Sequence, residues 1–480
     1  MATISSIGLG SGLDANAIIT QLMAIEKQPL TQMQTAATKL QDTLSSYGKV
    51  QSYVSALRDA AASLAGSSQW GQVATTSGDS TVFSAAPSTS TTQATPGSHS
   101  VTVDKLASGQ TLFSKTYASA NDVVGGGSLT ITIGGVGTVI PIDANPGTLA
   151  SIRDQINAAG ISVKASIVTD TSGARLIMRS TATGASQSFT VSVADNDGDN
   201  TDAAGLSLLG YPPTAIGAPT EVMTQAQPAQ DASVTVDGVP VSWSTNTLTD
   251  VIQGVSLKLN KVSATPIDLT VAQDTTSIKK SITDFATAYN NLAKYLTDQT
   301  SYNAATKTGA LLQGDSAVNA LRTQMRSIVM DTFGGASATF TRLAQIGLDP
   351  QTDGTIKINS TKLDTALTNP TAVQTLFAAT DASGQANLQG FGVRLKAWGD
   401  TLLGLDGAIT TRTNSLQTQI RANTKQQDDF NTRMTAVEKR MRAQYTALDT
   451  QMSKLNALST YVSQQMAVLT GSTSTTSTKA

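Results

Sequence analysis

The sequence predicts an α+β, multidomain chain in which long N- and C-terminal helices form coiled-coil or helical-bundle legs and two β-rich domains are inserted between them. Three observations predict this class. The chain has 480 residues, several times one typical domain. Apolar residues recur at steps of three and four near both ends and at steps of two between them. Charge is uneven: residues 75–275 carry 8 basic and 16 acidic side chains and the remainder 24 basic and 18 acidic, so an acidic middle separates basic ends.

The first helix is expected to begin at an N-cap, Asp14, with Ile18, Ile19, Leu22, Met23 and Ile25 at helical spacing. Pro29 interrupts it and suits the first turn of a second helix. There Leu30, Met33, Ala37, Leu40, Leu44 and Tyr47 lead into Val50, Val54, Leu57, Ala61 and Leu64, before Gly66 ends the run. At the other end no Pro or Gly falls between Ala408 and Thr470, room for a helix of about 95 Å. Met434, Met441, Leu448, Leu455, Val462 and Leu469 fall seven apart on it, with Phe430 and Val437 beside them, which marks a coiled-coil or bundle seam.

Between the ends, Leu129, Ile131 and Ile133 alternate, as do Phe189, Val191 and Val193, and Val234 and Val236 precede Asp237-Gly238; these read as strands and hairpins. SLTITIGG with NPGTLASIRDQIN resembles ASVTVDG with STNTLTDVIQGV, a weak repeat in which a Thr-Leu start leads into a short helical or turn segment. Ile278, Ile282, Phe285, Tyr289, Leu292 and Leu296 return to helical spacing, and a hairpin is expected around Asp353-Gly354. The expected organisation is 1–42 leg helices, 43–75 the first part of a helical bundle, 76–101 with 206–275 one β-rich domain, and 102–205 a second. Residues 276–425 complete the bundle with a hairpin near 346–360, 426–470 form the C-terminal leg, and 471–480 are a disordered tail.

Little chemistry survives the composition. There is no cysteine and one histidine, His99, in the polar stretch PGSHS, where an exposed loop is expected; thiolate sites and multi-histidine metal sites are excluded. Asp195 to Asp202 spaces carboxylates as calcium loops do, but Asn200 and Leu206 stand where an EF-hand needs Gly and Glu, so a solvated loop is expected. Gly8 to Gly12 and Gly125 to Gly127 lack the strand and helix context of phosphate cradles. Arg433, Lys439, Arg440 and Arg442 read as a solvated helical face. A net charge of −2 argues against nucleic-acid binding, and no apolar run is long enough for membrane insertion. The N-terminus lacks the pattern of a cleaved secretory signal. No catalytic, cofactor-binding or metal site is expected.

Long apolar seams at opposite ends of one chain call for pairing with each other and with neighbouring copies, so a homo-oligomer is expected. Its interface residues are Leu13, Ile18, Leu22, Ile25, Leu30, Phe430, Met434, Val437, Met441, Leu448, Leu455, Val462 and Leu469. Tyr47, Val54 and Leu57 are expected to pack with Ile282, Phe285 and Tyr289 in the bundle.

The blocks GLGSGLDANAIITQLMAIEKQPL (8–30), DASVTVDGVPVSWSTNTLTDVIQGVSLKL (231–259), IGLDPQTDGTIKINSTKLDTAL (346–367) and LSTYVSQQMAVL (458–469) resemble the flagellar filament cap family, also called hook-associated protein 2. The resemblance implies a ring, pentamer or hexamer, at the distal tip of the bacterial flagellum that retains exported flagellin and promotes its folding and polymerisation. It also implies hook-filament junction proteins and a flagellar export chaperone as partners, and secretion through the flagellar apparatus without a cleaved signal. An alternative from another class is an adhesin whose β domains bind host mucin or glycans. Against it, residues 75–275 offer Trp243 alone as a tryptophan platform.

Overall fold

The structure, a computed structural model, describes residues 14–88, 94–212, 222–335 and 338–471, with side chains described through Val468. Leu13, the Gly8 to Gly12 run, the tail beyond residue 471 and the side chain of Leu469 lie outside the described residues. The chain divides into two compact units, Met1–Gly66 with Lys279–Ala480, and Ser67–Ile278.

Local signals explain the first elements. Helix α1 (Ala15–Glu26) begins where Asp14 Oδ1 accepts from the Ala17 N–H at 2.9 Å. Helix α2 (Gln28–Ala65) carries Pro29 in its first turn, where a missing N–H is harmless, and stops at Gly66. Its second half buries Tyr47, Val50, Val54, Leu57, Ala61 and Leu64, the three-and-four spacing of one helix face.

The unit Ser67–Ile278 opens with helix α3 (Ser67–Trp70) and contains two β-rich cores. The first combines strands β1 (Val73–Ser77), β2 (Phe83–Pro87) and β3 (Gly97–Lys105) with distant residues met again at the end of the unit. The second holds β4 (Thr111–Phe113), β5 (Gly127–Ile133), β6 (Val136–Ile142), helix α4 (Leu149–Ala158), β7 (Val163–Asp170), β8 (Gly173–Ser180), β9 (Phe189–Asp195) and β10 (Thr224–Gln227). These form sheets ordered β6-β5-β9 and β10-β4-β8-β7, which enclose Leu129, Ile131, Ile152, Ile156, Leu176 and Phe189. The chain then returns through β11 (Ala232–Val236), β12 (Val239–Trp243), β13 (Thr247–Ile252), β14 (Val255–Leu259) and β15 (Ile267–Gln273). They complete the first core in sheets ordered β1-β15-β3-β11-β12 and β13-β14-β2.

Two sequence expectations are corrected here. In the first repeat copy Thr148 caps α4, its Oγ1 accepting from Ser151 N–H at 3.2 Å, as expected. In the second copy Thr247-Leu248 instead opens strand β13, because Leu248 and Ile252 are buried while β13 pairs with β14. His99 is not in a loop: it lies in β3, flanked by β15 and β11, with Nδ1 2.7 Å from Asp237 Oδ2. The hydrogen bond with His99, then the one from Ser100 N–H, holds the Asp237 carboxyl below its ordinary range. Asp237 itself sits at φ 51° in the β11–β12 turn, followed by Gly238 at φ 84°, the left-handed pair a tight hairpin needs.

Helix α5 (Thr275–Thr300) buries Ile278, Ile282, Phe285, Tyr289, Leu292 and Leu296. After it come a short hairpin, β16 (Tyr302–Asn303) and β17 (Thr308–Gly309), and helix α6 (Ser316–Met330). The hairpin of β18 (Leu348–Pro350) and β19 (Ile356–Ile358) turns through Asp353-Gly354. Helices α7 (Ser360–Ala366), α8 (Pro370–Ala378) and α9 (Phe391–Leu403) precede α10 (Ala408–Gly471), which has 64 residues. Helix α2 lies against α9 and α10, and α8 and α6 pack on α9.

Candidate functional site

The helical unit holds two packed regions, a bundle joined around α2 and a seam between α1 and α10 whose apolar row runs on into exposed residues. The bundle is joined by a polar node. Asp315 caps α6, its Oδ1 accepting from Ala317 N–H at 3.0 Å and Val318 N–H at 3.3 Å. The same Oδ1 accepts from the Tyr47 hydroxyl at 2.7 Å, and Oδ2 from Arg412 Nη2 at 3.1 Å. Arg412 also stands 6.0 Å from the centroid of the Tyr47 ring, within cation–π range. Three sequence-distant helices, α2, α6 and α10, therefore meet at one carboxylate.

Burial first, and then Asp315, push the Tyr47 phenol well above its ordinary value. Burial alone would raise the Asp315 carboxyl too. The bonds from Tyr47 and Val318 N–H, with the Arg412 charge, outweigh it and hold Asp315 below its ordinary range. The node is charged and satisfied, which keeps it compatible with an interior position.

Around this node the remaining bundle residues are placed by apolar packing. Val54 and Leu57 are fully buried on α2, and Ile282, Phe285 and Tyr289 on α5. Tyr53 and Tyr295 meet at a tilt of 42° with 5.1 Å between centroids, and the Tyr295 hydroxyl reaches the Ser46 carbonyl at 3.4 Å, which ties α2 to α5. Phe285 meets Phe377 of α8 edge-on at 5.7 Å. Gly392 on α9 lets two backbones approach: a Cβ there would lie 2.9 Å from the Phe377 carbonyl oxygen and 3.0 Å from that of Ala61.

The seam joins α1 to α10. Ile19 and Met23 close over Phe430 and Met434, with Leu30, Met33, Val437, Met441 and Tyr445 packed partly against them. Arg442 Nη1 reaches Asn16 Oδ1 at 3.1 Å, while its Nε holds Glu438 one turn back at 2.9 Å. Arg433 covers the Phe430 ring at 5.0 Å, so part of the basic cluster on α10 is engaged within the chain. Ile18 is half-buried beside this contact, whereas Leu22 at 38% and Ile25 at 63% face outward. Beyond Tyr445 the apolar row continues without cover: Leu448 is 44% exposed, Leu455 57% and Val462 51%. Large apolar side chains exposed in a continuous row are uncommon on the surface of a monomer.

Among the described residues no group of three or more His, Cys, Asp or Glu could hold a metal ion, and no helix is long and apolar enough to cross a membrane. The loop from Asp195 to Asp202 spends its carboxylates on its own backbone, for example Asp199 Oδ1 on Thr201 N–H at 2.8 Å. The sequence reading missed Asp315 and Arg412. The Asp-Ser-Ala-Val start of α6 was a readable cap signal, but nothing local announces its partners.

Two family descriptions match this chain: Flagellar hook-associated protein 2 N-terminus over residues 11–110 and Flagellar hook-associated protein 2 C-terminus over residues 229–457. Between them the Flagellin hook IN motif matches residues 128–182. Flagellar hook-associated protein 2 of Escherichia coli K12 is 32% identical over 481 residues, 97% of this chain and 98% of that protein. The B-type flagellar hook-associated protein 2 of Pseudomonas aeruginosa PAO1 is 30% identical over 482 residues, 97% of this chain and 98% of that protein. The crystal structure of the flagellar cap protein FliD D1-D2-D3 domains from Escherichia coli matches with a TM-score of 0.58 at 29% identity, over 78% of this chain and 99% of that one.

Proposed function

The chain belongs to the flagellar hook-associated protein 2 family and is a flagellar filament cap protein; from that premise we propose that several copies close into a ring at the distal end of the growing filament. The ring retains exported flagellin and promotes its folding and polymerisation. The observation that supports this mechanism is the seam. It is closed from Ile19 to Met441 within one chain and left open at Leu448, Leu455 and Val462, as a part that must engage neighbours would be. We assign the open row, with Leu22 and Ile25, to contacts with neighbouring copies and flagellin, and the row Tyr47, Val54, Leu57, Ile282, Phe285 and Tyr289 to the bundle that holds it.

The remaining partners follow from the same reading: hook-filament junction proteins at the point of delivery and an export chaperone before it. Catalysis has no part in it. The comparisons do not support the adhesin alternative, and Trp243, the platform it relied on, packs against the first β core.

The test is electron microscopy of cells lacking the gene, with flagellin measured in the medium. Bare hooks with flagellin lost to the medium, both reversed by the full gene and not by one lacking residues 1–40, are the expected result. Normal filaments on the deletion strain would end the reading.

A further inference from the structure

The second β core is acidic overall, yet one face of it is not. In the sheet β10-β4-β8-β7 the alternation along β8 turns Leu176 and Met178 inward and Arg175, Ile177 and Arg179 outward. On β7 the outward set is Lys164, Ser166 and Val168. Register places Lys164 directly beside Arg179, and Thr111 on the other side of Arg179. Both cations are exposed, and neither joins an ion pair among the described residues. Arg175 is already occupied, 5.7 Å from the Phe113 ring and with Nη1 3.5 Å from the Ser114 carbonyl oxygen. Beside Lys164 and Arg179 the chain from Ser180 to Thr183 forms the rim of a cleft of about 350 Å³. The face thus combines two unneutralised cations, the exposed Val168 and a recess.

The complementary feature is in the same core. The loop after β9 carries Asp195, Asp197, Asp199 and Asp202 within eight residues. None of the four meets a cation among the described residues, and Asp197 and Asp199 are exposed. Hydrogen bonds from Asp195 N–H to Asn200 Oδ1 at 2.7 Å and from Ser207 Oγ to the Asp199 carbonyl at 3.0 Å hold the loop in shape. A positive face and a negative loop that are not paired with each other in one chain can be paired between copies, the face of one meeting the loop of another. In the ring proposed above that pairing repeats head to tail from each copy to the next.

We propose that the Lys164–Arg179 face of one copy receives the Asp195–Asp202 loop of the next, as a charge-paired contact that orients neighbours in the ring. The proposal rests on the ring reading above and adds to it a second contact, distinct from the helical seam. The occupant is a second copy of this chain. Exposed charge pairs of this kind act mainly on register and encounter rate, and they weaken with salt.

The test uses the full-length chain, with assembly followed by light scattering over a concentration series at low and high salt. Circular dichroism serves as the control for folding, since all four reversed side chains are exposed. Lys164→Glu with Arg179→Glu, and separately Asp197→Lys with Asp199→Lys, are expected to raise the half-assembly concentration roughly tenfold at low salt. Combining all four restores it to within about threefold of the native value. High salt shifts the native chain in the same direction as either pair. Native-like assembly by the Lys164/Arg179 pair overturns the proposal, as does a combined variant no better than its parents, which would point to a different acidic partner such as flagellin or a host glycan. If the native chain assembles and only a seam variant such as Leu455→Asp prevents it, the ring reading stands and this contact falls; a native chain that never assembles removes both.

Discussion

The Tyr47 hydroxyl donates to Asp315 Oδ1 at 2.7 Å, joining residues 268 apart in the sequence. Arg412 closes the other oxygen of the same carboxylate at 3.1 Å. Tyr47→Phe removes one donor and leaves the carboxylate with its cap and its arginine, so a loss of about 1 kcal/mol is expected. Asp315→Ala removes the cap and strands both partners, and about 2–4 kcal/mol is expected. Denaturant midpoints of the two variants against the native chain measure the difference, and equal midpoints would show that the node contributes nothing.

The same node sets a pH dependence. The Asp315 carboxyl titrates below its unfolded value of about 3.9. Its contribution is therefore fully present above about pH 4 and is lost as pH falls through the depressed native value. Melting temperatures from neutral pH downward are expected to fall less steeply for Asp315→Asn than for the native chain. Parallel curves would remove Asp315 from the acid limb.

Leu57 is fully buried on α2, a helix that lies against α9 and α10. Leu57→Asp places a charge there with no partner, at an expected cost of about 3–5 kcal/mol. Unchanged thermal unfolding would show that this face is not packed as described.

Gly392 separates helix propensity from packing. Alanine is favoured over glycine within a helix by about 1 kcal/mol, yet at Gly392 its Cβ would press on the carbonyl oxygens of Phe377 and Ala61. Crowding of this kind costs about 1–3 kcal/mol, so Gly392→Ala is expected to lower stability on balance. A stabilised variant would mean that α9 and α2 are further apart.

The open row on α10 predicts the opposite pattern. Leu455→Asp and Val462→Asp change side chains that are 57% and 51% exposed, so the monomer is expected to lose less than about 0.5 kcal/mol. Both are expected to abolish filament capping in complemented cells. Normal filaments with either variant would show that the row is not an interface.

Much of the fold was legible because its punctuation is local. Asp14, Pro29 and Gly66 each act within a turn of where they stand, and the unbroken stretch from Ala408 announces α10 by lacking any breaker. His99 was misread because PGSHS has the composition of a turn, while its strand state is decided by pairing with Leu269 of β15, which lies far along the sequence. Thr247-Leu248 was misread for the same reason: its resemblance to the start of α4 is local, and its pairing with β14 is not. The apolar period of the seam was visible, but which face closes inside the chain was not. Ile18, Leu22 and Ile25 and the pair Ile19 and Met23 fit the same spacing, and only the position of Phe430 and Met434 chooses between them. The Tyr47, Asp315 and Arg412 node left no joint signal, since three polar residues in three separate segments carry no shared pattern.

Helix α2 is finished early along the chain, yet α9 and α10, which pack against it, come after residue 390. Order of emergence therefore matters to this molecule. A chain delivered N-terminus first presents Val50, Val54 and Leu57 with no lid until α5, α9 and α10 follow, and Arg412 on α10 completes the node last. The segment Ser67–Ile278 suffers no such delay, because both of its cores are composed of residues within its own span. A premature stop between the end of that segment and α9 would thus leave intact β domains carried on a helix with one greasy side, a product marked for aggregation or proteolysis and of no use as a half-length substitute.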